Sequence, residues 1–97
     1  MLLENITFAV SKNNSEAFEV WIKSEIVNFE DWIASVHCYQ LMTEIDPESA
    51  NYSVQFIFDS EQQFEVFKQL HYDLLLAKAQ KRFRGEILHF NTLLKKI

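Results

Sequence analysis

The side chains in this sequence that could carry chemistry are three histidines and one cysteine, and their spacing does not assemble a reactive group. No two of His37, His71 and His89 are spaced like metal ligands within one element, and no carboxylate is paired with them by sequence. Cys38 lacks the Gly-rich turn that would expose a nucleophile, so it is interpreted as a small buried hydrophobe. We predict no catalytic residue, no metal site and no cofactor. This pattern leans against an enzyme and leaves the roles of His37, His71 and Cys38 open.

The sequence also lacks the signatures of nucleotide and nucleic-acid recognition. It contains a single Gly, which removes the Gly-rich phosphate loops. The predicted central strands have no outward aromatic side chain on which an RNA base could stack. A formal net charge of −5 argues against general affinity for nucleic acid or anionic membrane. We therefore predict neither a nucleic-acid partner nor a membrane partner.

The composition is that of one globular domain spanning residues 1–97. The chain has 97 residues, 48% of them hydrophobic, with nine Phe against one Gly and one Pro, which excludes a disordered chain and a disulfide scaffold. Residues 1–67 hold 12 acids and 2 bases, net −10, whereas residues 68–97 hold 7 bases and 2 acids, net +5. The first residues do not resemble a signal peptide, so a cytoplasmic location is expected.

Hydrophobic periodicity alternates between the strand and the helix repeat along the chain. A helical stripe follows a cap at Asn14 or Ser15 and predicts a first helix that runs to about Ile33. Ser60 and Gln63 form a capping box, with Gln63 reaching back to the Ser60 amide. The predicted inward stripe of this second helix is Phe64, Phe67, Leu70, His71 and Leu74. Period-2 alternation predicts strands over residues 2–10, 36–45, 52–58 and 86–94.

The resulting order, β-α-β-β-α-β, predicts an α+β fold of the ferredoxin-like type. Two helices would cover one face of a four-stranded antiparallel sheet, with the first and third strands central and the fourth beside the first. The Phe-rich side of each strand is assigned to the helices, including Leu88, Phe90 and Leu94 of the last strand.

The opposite side of the sheet would then be an uncovered, low-charge face. A solvated sheet face normally carries more Lys and Glu, so this one is interpreted as a surface for self-association or a platform for a ligand. Gln40 and Met42 would lie at its far edge. The candidate ligand or dimer residues on it are Asn5, Thr7, Ser53, Gln55, Ile57, His89, Asn91 and Leu93.

Several segments resemble a family of short bacterial proteins, the domain-of-unknown-function family 4286. The matching pieces are the Trp21–Lys23 segment, the Tyr52–Phe56 strand, the Phe64 and Phe67 pair followed by His71, Arg82-Phe83, and the Phe90–Leu94 strand. The resemblance covers nearly the whole chain. It implies a ferredoxin-like fold similar to dimeric α+β barrels, and it implies no assigned activity.

These observations favour a non-enzymatic interaction or ligand-binding module that forms a homodimer through the open sheet face. Two alternatives stay open. One is a cofactor-free enzyme like the antibiotic-biosynthesis monooxygenases, in which His89, Asn91, Asn5 and Gln55, or a pocket on the helix side, would polarise a substrate. The other is a regulatory domain that binds an amino acid between two protomers. The small-molecule ligand is not identified by the sequence.

Overall fold

A computed structural model describes residues 1–97 and contains one antiparallel sheet with helices packed on one face. The strand order is β2-β3-β1-β4, so the two central strands are β1 and β3. This confirms the predicted ferredoxin-like α+β fold; the dimer remains a prediction. The elements are β1 (Leu2–Ser11), α1 (Ser15–Val27), β2 (Ser35–Gln40), β3 (Ser49–Phe58), α2 (Glu61–Phe67), α3 (Asp73–Phe83) and β4 (Ile87–Lys95).

The core lies between the sheet and the helices and is built mainly from phenylalanine. Side chains opposite one another in an antiparallel pair share a face, and β1 places Phe8 opposite Tyr52 and Ile6 opposite Val54. Phe67 lies at the centre of the aromatic cluster, with its ring centroid 4.7 Å from that of Phe56 and 5.3 Å from that of Phe58. The predicted Phe-rich inner face of the central strands is therefore confirmed.

The first helix is shorter than the prediction. It ends at Val27, and the chain continues through turns in which the Phe29 N–H donates to the Ile26 carbonyl at 2.9 Å. Phe29 and Ile33 are nevertheless buried, because the turns keep them over the sheet. The predicted side-chain cap is wrong: Asn14 donates instead to Ser11 Oγ at 3.1 Å and to Glu86 Oε2 at 2.7 Å.

The second helical segment runs from Glu61 to Phe83 and is interrupted by a π-helical turn at Lys68–Tyr72. The Ser60 cap is confirmed, since Ser60 Oγ accepts from the Gln63 N–H at 3.2 Å, although Gln63 Oε1 reaches back to the Asp59 N–H rather than to that of Ser60. The wider π turn rotates the residues C-terminal to it. Leu70 and Leu74 are therefore exposed, and the inward stripe continues instead through Leu75, Ala79 and Phe83.

The face assignment of β4 is opposite to the prediction. The pairing with β1 sets Asn91 opposite Ile6 and His89 opposite Phe8, so these side chains share the helix side of the sheet, as does Leu93. The open side carries Leu88, Phe90 and Leu94 instead. The predicted placement of His89, Asn91 and Leu93 on the open face is wrong. The register follows Ile87, which is buried opposite Val10, and this first pair fixes the side of every later residue.

The edge of the open face also differs from the prediction. Gln40 pairs with Tyr52 and shares the helix side of β2, and Met42 lies beyond the end of β2 with 90% of its surface exposed. His37 and Tyr39, opposite Gln55 and Ser53, occupy the open side of β2 instead. The physical reason is the packing of Val36 and Cys38 against the core, which fixes the alternation.

Candidate functional site

The structure brings together a polar network at the centre of the open sheet face. Asn5 Nδ2 donates to Thr7 Oγ1 at 3.1 Å, and Ser53 Oγ donates to Asn5 Oδ1 on the neighbouring strand. Gln55 Nε2 donates to Ser53 Oγ at 3.4 Å. Ile57 lies on the same face, opposite Leu3. Five of the eight residues predicted for this face are therefore placed on it.

Apolar side chains from β4 border this network. Phe90, opposite Thr7, leaves 64% of its surface exposed, and Leu88, opposite Ala9, leaves 72% exposed. Leu88 and Phe90 are next to each other on this face, and a contiguous exposed apolar patch of this kind is typical of an interaction surface. The open face is thus more apolar than the predicted one, because β4 presents its Leu and Phe there.

Two of the three residues that were wrongly predicted to lie on the open face contribute to a different site. Asn91 and Leu93 line a cavity of about 290 Å³ on the helix side of the sheet. It lies where β1 and β4 meet the helical segment. The remaining lining residues are Glu4, Phe64, Phe67, Lys68 and Tyr72.

Glu4 is the polar centre of this cavity. Only 3% of its surface is exposed, and its Oε1 accepts a hydrogen bond from Asn91 Nδ2 at 2.9 Å. Its second oxygen accepts no hydrogen bond from the protein. Every fully buried side-chain oxygen or nitrogen of the protein has a hydrogen-bond partner, so this second oxygen is not fully buried, and it faces the cavity that Glu4 lines. This oxygen can accept a hydrogen bond from water or from a ligand that enters the cavity.

The electrostatics of Glu4 follow from its burial. Desolvation raises the pKa of the Glu4 carboxyl above its ordinary value of 4.5, while the Asn91 hydrogen bond and the charge of Lys68 act in the opposite direction. Burial also raises the pKa of Tyr72, with the negative charges of Glu4 and Asp73 adding to the effect. Tyr72 therefore remains a neutral phenol at the wall of the cavity.

The helical side of the cavity includes both ends of the π-helical turn. Lys68 and Tyr72 begin and end this turn, and both line the cavity. The Lys68 ammonium lies 5.8 Å from the Phe64 ring centroid, and the Tyr72 ring lies 6.2 Å from the Phe67 ring. Phe64, Phe67, Lys68 and Tyr72 are spaced i, i+3, i+4 and i+8, so they lie on one side of the helical segment and together form this wall.

Neither the histidines nor the cysteine form a reactive cluster. The His71 ring packs 4.8 Å from Trp32 and 5.5 Å from Phe29, which is a boundary packing role. No group of three or more His, Cys, Asp and Glu side chains is arranged to hold a metal ion. Burial and the Glu19 carboxylate raise the pKa of Cys38 to about 11, which leaves it a neutral thiol.

Glu4 was not among the predicted site residues, although the sequence contained a signal. It is the single charged residue on the inward side of β1, between Leu2 and Ile6. A carboxyl on an otherwise apolar strand face must either reach solvent or have a buried role. What the sequence could not supply was its partner, Asn91, which lies 87 positions later.

The whole chain matches one family model, the domain of unknown function DUF4286, over residues 1–97. The chain belongs to this family. No curated protein sequence matches it. The family therefore identifies the domain and its extent, and it assigns no chemistry.

Solved structures show which fold this member of DUF4286 shares. A Deinococcus radiodurans protein, described as a candidate antibiotic biosynthesis monooxygenase, has a TM-score of 0.79 at 9% identity and is matched over 100% of this chain and 93% of its own. SnoaB, a cofactor-independent oxygenase from Streptomyces nogalater, has a TM-score of 0.54 at 11% identity, over 99% of this chain and 93% of its own.

A de novo designed protein, Foldit4, matches as well, with a TM-score of 0.69 at 14% identity over 99% of this chain and 98% of its own. Because natural oxygenases and a designed chain share the fold, the fold does not imply an activity. No helix of this structure combines the length and the apolar character needed to cross a bilayer.

Proposed function

We propose that this DUF4286 member is a small-molecule-binding module whose ligand is an apolar α-amino acid held in the Glu4 cavity. The observation that carries the proposal is the free oxygen of Glu4, a residue that is only 3% exposed and faces an otherwise largely apolar cavity. The volume of about 290 Å³ is at the small end of ligand sites.

The arrangement of charge in the cavity favours a zwitterion. Glu4 offers a carboxylate to an ammonium group, and Lys68, close enough to lower the Glu4 pKa, offers an ammonium to a carboxylate. Asn91 supplies an amide that already orients Glu4. The ring of Phe64 and the side chain of Leu93 supply the apolar contact for the side chain of the ligand.

The proposal is tested by thermal unfolding with phenylalanine and two relatives that each lack one charged group. Phenethylamine lacks the carboxylate and 3-phenylpropionate lacks the amine. We expect phenylalanine to raise the melting temperature most, because only phenylalanine carries both charged groups. A ligand at 100 times its dissociation constant adds about 2.7 kcal/mol to the free energy of unfolding. Glu4→Gln should abolish the preference for the amine, and Lys68→Met should abolish the preference for the carboxylate.

Two results would contradict the assignment. One is equal stabilisation of wild type and Glu4→Gln by phenylalanine, which would remove Glu4 from recognition. The other is a flat response to all three compounds and to the other apolar amino acids. Lys23→Met, which changes an exposed lysine outside the cavity, is the matched control for loss of a positive charge.

We also propose that the module works as a homodimer through the open sheet face. Phe90 and Leu88 are exposed beside a polar network, and this arrangement supports the proposal. A second copy would bury both side chains and could form hydrogen bonds with the network. A stable interface buries at least about 1,000 Å² in total, an area within reach of a four-stranded sheet face.

Light scattering at several concentrations tests the dimer. Wild type is expected at twice the chain mass, and Phe90→Asp at the mass of one chain, because a carboxylate would be buried without a partner in the interface. Val20→Asp changes an exposed apolar residue of α1 and should remain a dimer. A monomeric wild type would refute this proposal without affecting the amino-acid site.

A further inference from the structure

A second concave site lies between α1 and the C-terminal end of α3. This cleft is shallow and open to solvent, with a volume of about 500 Å³, and it is separate from the more enclosed Glu4 cavity. Its lining residues are Trp21, Lys78, Lys81, Arg82 and Arg84. Apart from the indole, every side chain that lines the cleft is positively charged, in a protein whose net charge is −5.

These cations are largely unpaired. Lys78 Nζ lies 3.4 Å from Glu25 Oε1, and no carboxylate lies within ion-pair distance of Lys81, Arg82 or Arg84. Acidic residues outnumber basic ones 14 to 9, so the missing partners do not reflect a shortage of acids. Like charges gathered in one cleft repel one another, and an anion placed among them removes that cost.

Aromatic packing holds the walls of the cleft in place. The Trp21 ring meets the Phe83 ring edge-on, with centroids 5.8 Å apart and planes at 83°. The Arg82 guanidinium lies 5.4 Å from the centroid of the same Phe83 ring. These contacts favour one placement of the indole and of the Arg82 guanidinium, and side chains with such contacts lose less entropy on binding.

Arg84 has a backbone conformation that its side chain makes unfavourable. It has φ 46° and ψ 55° and is the only non-glycine residue of the protein with positive φ. Glycine is the usual occupant of this left-handed position at the end of a helix, because Cβ crowds the backbone there. Arg84 therefore lines the cleft at a backbone position that disfavours any residue other than glycine.

The carbonyls at the end of α3 do not oppose an anion as strongly as free carbonyls would. The Arg84 N–H donates to the Gln80 carbonyl at 2.8 Å, and the Glu86 N–H donates to the Phe83 carbonyl at 3.0 Å. The negative end of the helix is thereby partly satisfied within the chain. Four cations line the cleft beside these partly satisfied carbonyls.

We propose that this cleft binds the phosphate or pyrophosphate group of a small organic phosphate. Arg82 and Arg84 supply guanidinium groups, whose planar donors match phosphate oxygens, and the lysines supply further charge. The indole of Trp21 contacts the organic part of the ligand. The site uses side chains rather than a Gly-rich loop, which explains how one Gly in the sequence is compatible with it.

Fluorescence of Trp21 tests the proposal with inorganic pyrophosphate as the probe. In a Trp32→Phe background Trp21 is the only tryptophan, and ionic strength is held constant with sodium chloride. We expect a saturable change in emission, with a dissociation constant below about 1 mM, an affinity within reach of a few charge-assisted contacts. Arg84→Gly should weaken binding at least tenfold and raise the melting temperature by about 4 °C, because glycine relieves the left-handed backbone.

Controls separate a built site from general attraction. Lys23→Ala removes an α1 cation outside the cleft and should leave the dissociation constant unchanged. An emission change that is not saturable, or equal weakening by Lys23→Ala and Arg84→Gly, would overturn the proposal. Binding of a single-stranded oligonucleotide without binding of pyrophosphate would also overturn it, and would assign the cleft to nucleic acid instead.

Discussion

At the scale of single residues, burial raises the pKa of Glu4 and the pKa of Cys38. Glu4 faces a cavity, and its raised pKa results chiefly from the loss of water around the carboxyl. Cys38 is partly buried on the helix side of β2, and a neutral thiol there contributes packing rather than reactivity. Each leads to a prediction with a defined sign.

Glu4 should make the protein less stable as the pH rises. Its folded pKa lies above the ordinary value of 4.5, so in the window above that value the folded state binds more protons than the unfolded state. The free energy of unfolding therefore falls as Glu4 ionises. Urea unfolding of wild type and Glu4→Gln between about pH 4 and pH 7 measures this change. The free energy of unfolding of the variant should rise relative to that of wild type as the pH rises. A constant difference would contradict the raised pKa.

Cys38 should react slowly with alkylating reagents. With a pKa of about 11, only about one thiol in a thousand is ionised at pH 8. Iodoacetamide should modify the folded chain at least tenfold more slowly than the same chain in urea, where the thiol regains an ordinary pKa of about 8.5. Equal rates in the two conditions would show that the thiol is ionised or exposed in the fold.

At the scale of elements, the helical segment from Glu61 to Phe83 combines a clear start with an irregular middle. Its start is set by a single side-chain contact, Ser60 Oγ to the Gln63 N–H. Its middle is the π-helical turn, whose two end residues, Lys68 and Tyr72, line the cavity. π turns frequently occur at functional sites, which agrees with a binding role for this wall.

Ser60→Ala should destabilise the protein by about 1 kcal/mol, because one N–H of the first turn loses its acceptor. Ser24→Ala is the matched control, since Ser24 is exposed within α1 and makes no side-chain hydrogen bond. Alanine is the better helix former there, so this variant should be as stable as wild type or slightly more stable. Midpoints of urea unfolding compare the two, and equal losses would argue against the cap.

The elements also show what the sequence could and could not predict. Strand and helix types, the sheet order and the inner face of β1 and β3 were predictable, because their apolar residues lie mainly on one side. β4 has apolar residues on both sides, so its alternation does not choose a face. The choice is made by contacts distant in sequence: the Ser11 N–H donates to the Glu86 carbonyl at 3.1 Å and starts the register at Ile87.

The same reason explains the site. The network of Asn5, Thr7, Ser53 and Gln55 results from the sheet order, so it was predictable. The cavity was not, because it depends on the side of β4 that carries Asn91 and Leu93. Neither a π turn nor a register is encoded in a local hydrophobic period.

At the scale of the whole molecule, aromatic contacts join the sheet to the helical segments. Phe67 of α2 is fully buried and contacts rings from β3, the π-helical turn and the segment after α1. Phe67→Ala should cost about 3–5 kcal/mol, a large part of the roughly 5–15 kcal/mol that stabilises a typical domain. Phe90→Ala, the same change on the open face, should cost far less within one chain.

Chemical unfolding at low protein concentration, where chain association contributes least, compares the two phenylalanine variants. A loss at Phe90 as large as that at Phe67 would contradict the exposure of the Phe90 ring. A small loss at Phe67 would mean that its neighbours collapse into the space left behind.

The side chains of β4 alternate between the two faces of the sheet, so this strand connects binding on one face with binding on the other. Asn91 points into the cavity, while its neighbours Phe90 and Thr92 belong to the opposite surface, so one edge strand serves both. Ile87 is the only buried residue of β4, which leaves the rest of the strand tied to the protein by its ladder with β1. A contact that restricts β4 on one face of the sheet reduces the conformational entropy that β4 can still lose when a contact forms on the other face. We therefore expect occupancy of the cavity and association of two chains to strengthen each other by the same factor, as thermodynamic linkage requires.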